Sequence, residues 1–376
     1  VTDFNRRTLL GAAGVGGLML ATGVPASAQS DQTQGKYVST VYIGSYTSWG
    51  NPPGPGFQVG TVDSATGKLT ITNTVNGIAD PSWFVFSRDR KVLYTTIESD
   101  PGKITAFSIA DPQRPKVLNS ANVNGAAPTH ASIHGNYLLA ANYTSGSVSV
   151  LSLQADGRVG AVTDVVTHTG GSRAAHAHQV VTDPSGRWIV AVDLGTDSVY
   201  VYGISSTGKL KLNQQLALPT GLGPRHLTFH PNGRYAYVLG ELRSEVTVLA
   251  WDSAAGKFTA GQVISTLGGA TPPENYPGEI QISPDGRFVY ATNRGHESLA
   301  QFTVCESGKT LEFVSTTPTG GSWPRHFTFD PSGTRVYVSN QRAGTINWLP
   351  RDPATGKLGA SVVTAKVGNV GIVSFK

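Results

Sequence analysis

Two Pro-Arg-His triplets, Pro224-Arg225-His226 and Pro324-Arg325-His326, stand at matching places in a long repetitive chain. Aligned on the same repeat are His176, His178, Glu241, Glu279 and Arg294, with Glu98 at the position equivalent to Glu241. Arginine, histidine and glutamate without cysteine suit acid/base chemistry on an oxygen-rich, anionic small molecule. Guanidinium groups pair with carboxylate or phosphate oxygens in a fork, while imidazole or carboxylate gives and takes protons. A serine nucleophile is not signalled, because no Gly-x-Ser-x-Gly segment is present. His176-Ala-His178 has the alternate spacing that puts two imidazoles on one face of a strand. No third ligand follows in sequence, so neither a metal nor any other cofactor is expected there.

These residues need a scaffold that gathers them, and the chain supplies one by repetition. Copies starting near Pro81, Pro128, His176, Pro224, Pro277 and Pro324 recur with a period of about 50 residues. Each begins with an apolar strand running into a Pro-Asp-Gly-Arg type turn, as in Pro184–Arg187, Pro231–Arg234 and Pro284–Arg287. Proline fixes the first turn position and glycine takes the left-handed one. A second strand, a loop, an alternating strand and a Thr-Gly-Lys-Leu hairpin follow. Each copy is thus about four antiparallel strands, which cannot bury both faces alone. The pattern predicts an all-β, seven-bladed β-propeller, closed into a ring by strands from Val41–Tyr46 and Val370–Phe375. On this alignment His130, His134, His176, His178, His226, His230 and His326 fall in innermost strands. The last residue of the second strand reads Ile97, Asn142, Asp193, Gly240, Asn293 and Asn340, and its Asn, Asp and Gly suit a turn. The position after it varies from Glu98 and Glu241 to Arg294, as a functional rim would. Arg225 and Arg325 have an alternative reading as ties to the carbonyls of neighbouring blades.

Composition supports an exported all-β chain. Of 376 residues, 45 are Gly and 22 Pro, only 14 % are charged, and a single Cys excludes an internal disulfide. A net charge of +5 without a Lys/Arg run gives no nucleic-acid footprint. Arg6-Arg7, a short apolar stretch and Pro25-Ala-Ser-Ala28 read as a twin-arginine signal over residues 1–28, cleaved to leave the propeller domain 29–376. The apolar run is too short for a span of ~20 residues, so no membrane association is expected after cleavage. No heptad or apolar stripe suggests assembly, and a monomer is expected.

The motifs His176-Ala-His178, Gly223–Asn232, Gly240-Glu-Leu242, Pro273-Glu-Asn275, Glu279–Arg287, Asn293-Arg-Gly295 and Pro324-Arg-His326 resemble those of a seven-bladed lactonase family. That family includes bacterial 6-phosphogluconolactonase and fungal 3-carboxy-cis,cis-muconate lactonizing enzyme. The resemblance implies catalytic roles for His178, Arg225, Glu241 and Arg294, with His176, His226, Glu279, Arg325, His326 and Glu98 as substrate-binding candidates. Gly240 stands where the family usually carries Asn, which is expected to loosen the turn under Glu241. Other sugar-lactone propellers hold a divalent ion with carboxylate and Asn ligands, for which Asn142, Asn293 and Glu98 would serve here. The expected activity is opening, or reversible closing, of the lactone ring of a polar, carboxylate-bearing compound. The alternatives are a non-catalytic propeller that binds a ligand or protein at the same rim, and a muconate-type cycloisomerase.

Overall fold

The structure is a computed structural model that describes residues 38–171 and 173–376. The expected signal segment lies outside the described residues. Seven four-stranded antiparallel sheets follow one another, with one 3-10 turn at Glu306–Gly308. The innermost strands are Val370–Phe375 for blade 1, Pro81–Phe86 for blade 2 and Pro128–His134 for blade 3. Blades 4 to 7 start at Ala177–Thr182, Pro224–Phe229, Tyr276–Ile282 and Pro324–Phe329. Blade 1 is composite: Val370–Phe375 pairs with Val38–Ser45, which closes the ring as expected.

Alternation along each strand sends apolar side chains into the gaps between sheets, and each gap holds its own core. Seven buried clusters occur, one per interface: Val190, Val192, Val199 and Val201 of blade 4, for example, pack on Leu227, Val238, Leu249 and Trp251 of blade 5. The others fill the remaining six gaps, including Tyr337 and Ile346 of blade 7 against Val41 and Ile43 of blade 1. A recurrent tyrosine ties neighbours at the periphery. Tyr94 donates to the Gly157 carbonyl at 2.9 Å, Tyr237 to Gly308 at 3.0 Å and Tyr337 to Gly67 at 2.7 Å. The outer Gly-containing hairpins are therefore read by the blade before them. In blade 2 the turn Ser87–Lys91 has no glycine, and Arg90 itself adopts the left-handed backbone (φ 54°). Asp89 caps that turn through the Lys91 amide, and Arg90 lies over the Phe86 ring.

One irregularity positions the site. Every innermost strand has a β-bulge at its second turn-proximal residue, where the pairing skips one position. The skipped residues are Ser82, Thr129, His178, Arg225, Gly278, Arg325 and Gly371, with Glu279 beside Gly278. A bulged residue has no ladder partner and its side chain is re-aimed. Ser82, Thr129, His178, Arg225, Arg325 and Gly371 converge on one central chamber, and in blade 6, where the pairing skips two residues, Glu279 takes that place.

Candidate active site

The bulge ring is the middle tier of three. Above it lie Tyr46, Glu98, Tyr143, Leu194, Glu241 and Gln341, each following a second strand, and Arg294, the last residue of its own. Below it, the next residue of each innermost strand gives Trp83, His130, Gln179, His226, Glu279, His326 and Ile372. The bulge ring and part of the lower tier line a small chamber of about 10 Å³, whose walls include His178, Arg225, His226, Glu279, Arg325 and His326.

Glu241 is the hub. Its Oε2 lies 3.0 Å from Arg225 Nε and 3.0 Å from an Arg294 terminal nitrogen. Burial alone would raise its pKa, but Arg294, Arg225 and Arg325 outweigh burial and hold the carboxyl below its usual range. Both guanidiniums are also tied to backbone. Arg225 donates to the Gly278 carbonyl, and Arg294 donates from Nε to Tyr276 O at 2.6 Å and from a terminal nitrogen to Pro277 O at 3.3 Å. Arg225 thus makes the expected tie to the next blade, alongside its carboxylate pair, while Arg294 is tied within its own. Arg225 is 2 % exposed, and burial, then Arg294 and Arg325, push its pKa down to about 9, leaving it charged at neutral pH. The turn carrying Glu241 is not loose despite Gly240. Glu241 N–H donates to Gly223 O at 2.8 Å, and a β-carbon at Gly240 would collide with Leu222.

His178 faces the same chamber. Its Nδ1 is buried without a partner, its ring meets His226 edge-on at 5.0 Å, and burial with the nearby Arg225 keeps it well below the usual imidazole range. It is neutral at pH 7. The floor is an aromatic and imidazole layer, with Trp83 4.2 Å from His130 and 5.5 Å from both His226 and His326. Glu279 Oε2 sits 3.2 Å from His226 Nδ1 and 3.8 Å from His326 Nε2, and burial raises its pKa. Glu279 and the two imidazoles are thus beneath the guanidiniums rather than beside Glu241.

Other expected residues distribute differently. His176 precedes its strand and stacks on Tyr143 at 4.4 Å, reaching the rim rather than the chamber. His134 and His230 lie at the opposite ends of their strands, bonded to Thr182 and to Gly286. They are excluded from the site because an innermost strand runs along the channel instead of across it. Glu98 accepts from the Tyr46 hydroxyl at 2.9 Å, across from Glu241. Asn142 donates to Ser147 and Ser149, and Asn293 to Thr266 O while accepting from its hydroxyl, so these buried amides serve the turns. Among the described residues no cluster of three or more His, Cys, Asp or Glu has metal-holding geometry.

Sequence reasoning missed Tyr46, Trp83, Trp323 and Arg342. Trp83 occupies the column of His226 and could have been found by aligning Pro81-Ser-Trp on Pro224-Arg-His. Trp323 stands before Pro324 as Gly223 stands before Pro224, a place where the backbone is left-handed in both. It holds a left-handed backbone (φ 64°), unusual for a bulky residue, and its N–H is pinned by Glu297 at 2.5 Å. Arg342 lies over its ring at 3.2 Å and Arg294 at 5.5 Å.

Comparison with known proteins agrees with this architecture. The profile of the family described as "Lactonase, 7-bladed beta-propeller" matches residues 40–375. A 6-phosphogluconolactonase of Bacillus subtilis (strain 168) is 33 % identical over 332 residues, 86 % of this chain and 93 % of that protein. One from Formosa agariphila is 31 % identical over 85 % of this chain and 94 % of its own. The solved structure of a periplasmic gluconolactonase from Pseudomonas aeruginosa superposes with a TM-score of 0.84 at 29 % identity, covering 90 % of this chain and 99 % of that one. With seven blades, a closed ring and a family match across nearly every described residue, the chain belongs to the seven-bladed β-propeller lactonase family.

Proposed function

We propose that the protein is an exported, metal-independent lactonase that hydrolyses the lactone ring of a polar, carboxylate-bearing small molecule. The observation that carries this reading is convergence: His178 and Arg225 line one small chamber, and Arg225 is joined through Glu241 to Arg294, instead of the four spreading over a flat face. A binding platform would need no buried, partly unsatisfied polar cluster. His178, neutral and with Nδ1 unengaged, removes a proton as water adds to the lactone carbonyl. The carbonyl oxygen then carries negative charge, and the terminal nitrogens of Arg225 and Arg294 not engaged by Glu241 or backbone stabilise it. Collapse breaks the bond to the ring oxygen, which takes the proton back from the His178 imidazolium and leaves as a hydroxyl. Glu241 has its basicity lowered by the two arginines, so its part is to hold both guanidiniums in place. Export is supported by the Arg6-Arg7 and Ala28 pattern and by the periplasmic relative.

The test is pH-stat hydrolysis of aldono-lactones, simple γ- and δ-lactones and muconolactones, with and without EDTA, beside Arg225→Ala. Turnover that EDTA spares and the variant loses by about 10²-fold or more is expected, the scale of one preorganised oxyanion donor. Wild-type turnover in Arg225→Ala overturns the assignment, and no turnover on the whole panel favours the binding platform. For export, N-terminal sequencing of the protein from the extracytoplasmic fraction should begin at Gln29. Recovery only from cytoplasm with residues 1–28 attached would refute it.

A further inference from the structure

The central chamber is far smaller than any lactone. Its volume is about 10 Å³, the scale of one water molecule, whereas even a benzene-sized ring needs a cavity of ~150 Å³. Its walls are mostly polar, unlike those of the apolar cavities that stay dry. Three wall side chains already have partners. Ser82 Oγ is paired with the Thr96 hydroxyl at 3.0 Å, and the Thr129 hydroxyl donates to His178 O at 3.2 Å. Glu279 accepts from the Ile280 N–H at 3.1 Å and meets His226 Nδ1 at 3.2 Å. Three imidazole nitrogens are left over. His178 Nδ1, His226 Nε2 and His326 Nδ1 are buried with no hydrogen-bond partner among the described residues. Their residues are 5 %, 2 % and 6 % exposed, and all three line the chamber. Orphaned polar atoms at such depth, on three side chains of one wall, call for a small polar occupant. The His178 and His226 rings meet edge-on with centroids 5.0 Å apart. One water bonded to a nitrogen of each spans up to about 5.8 Å, two ordinary hydrogen bonds end to end, so a single molecule reaches both.

We propose that the chamber is the seat of the nucleophile: one water molecule, hydrogen-bonded to His178 Nδ1 and anchored by His226 Nε2, attacks a lactone that lies above it against the upper tier. The inference rests on the lactonase reading and adds where its water is held and by which groups. Glu279 takes His226 Nδ1, which leaves Nε2 as the nitrogen free for the water. The Trp83 ring, edge-on to His226 and His326 at 5.5 Å, backs the two imidazoles. As the water oxygen bonds to the lactone carbon, its proton passes to His178 Nδ1 and the carbonyl oxygen takes the displaced electron pair. The proton then goes to the ring oxygen as that bond breaks. A seat of this size also selects its occupant: water enters it and an alcohol does not.

The experiment is a partition between nucleophiles. The lactone turned over fastest is treated with enzyme in water containing methanol, and acid and methyl ester are quantified by mass spectrometry after subtracting the uncatalysed reaction. The wild type should give acid alone. Two variants at Ser82 carry residues that other blades already have at the same bulge, so the strand accommodates them. Ser82→Thr, with the residue of Thr129, adds a methyl group to the wall. It should lower kcat about 10²-fold, the scale of losing a positioned proton transfer, and leave KM for the lactone unchanged. Ser82→Gly, with the residue of Gly371, widens the chamber and should let methyl ester form. Methyl ester from the wild type in the proportion of methanol to water would mean a nucleophile drawn from bulk solvent at the rim. That result, full kcat in Ser82→Thr, or an ester-free Ser82→Gly overturns the water seat. Failure of the lactonase reading shows separately, as absence of turnover on every lactone. A high-resolution crystal structure still decides the seat in that case. A water within hydrogen-bond distance of both His178 Nδ1 and His226 Nε2 supports it, and a chamber without one overturns it.

Discussion

Pro224-Arg225-His226 and Pro324-Arg325-His326 share sequence, strand position and bulge, yet their arginines do opposite things. Arg225 faces Glu241 and a neighbouring carbonyl, is almost wholly buried and has its pKa pushed down. Arg325 is only partly buried, and the phenol of Tyr46 and the charges of Glu98 and Glu241 more than offset its desolvation and push its pKa up. The difference lies in the upper tier: Glu241 of the same blade and Arg294 of the next stand by the first, Gln341 of the same blade and Tyr46 of the next by the second. In a propeller the strand delivers a side chain to the axis, and the rim residues of its own and the next blade decide its use.

The contrast breaks most severely at Glu241. Glu241→Gln removes the carboxylate that separates the first triplet from the second, and two charged guanidiniums then face each other unscreened. We expect kcat to fall about 10²- to 10³-fold, whereas Glu98→Gln at the matching rim position should leave kcat near wild type. Equal losses in both variants would show the two halves of the rim to be equivalent.

Acid should next affect what the triplets share. His226 and His326 are held below the usual 6.5 by burial, His326 to about 4, so both stay neutral in the folded state while the unfolded chain takes up protons. Stability is therefore full above pH 6.5 and declines as pH falls toward the folded values. Each histidine adds a slope of up to about 1.4 kcal/mol per pH unit. Glu279, whose pKa is raised, acts in the opposite sense and softens the decline. Urea unfolding between pH 8 and 5 measures the slope, and a flat profile would mean that the floor histidines protonate in place. The smallest expected effect separates the arginines in kinetics. Arg325→Gln should raise KM for an anionic lactone about tenfold with little change in kcat, unlike Arg225→Ala. A kcat defect of similar size in both would erase the distinction drawn here.

The repeat, the blade count and the closing strands were legible because turn glycines and prolines recur at fixed places, a local signal. The columns were partly legible: varied charge at Glu98, Glu241 and Arg294 marked the rim, and the triplets marked the bulge tier. The bulge itself was not, since it exists only in the pairing between strands. Without it, His130 and His134 look equivalent by alternation, whereas one lies at the floor and the other at the far end. Trp323 and Arg342 were invisible for a similar reason. Their importance comes from a ring contact within blade 7 that has no periodic trace, although the left-handed backbone under Trp323 recurs before the innermost strands at Asp80, Ala127 and Gly223.

The pairing of Val370–Phe375 with Val38–Ser45 has a consequence for biosynthesis. The strand that completes blade 1 is innermost, and its Gly371 lines the chamber. Six blades can form in order as the chain leaves the ribosome, but the first waits with an unpaired inner edge until more than 320 residues later. Joining ends so distant in sequence makes the final contact slow. Until it forms, a nascent or proteolytically clipped chain has neither a sealed ring nor a finished chamber. A chain clipped of Val370–Phe375 is therefore expected to be inactive rather than weakly active.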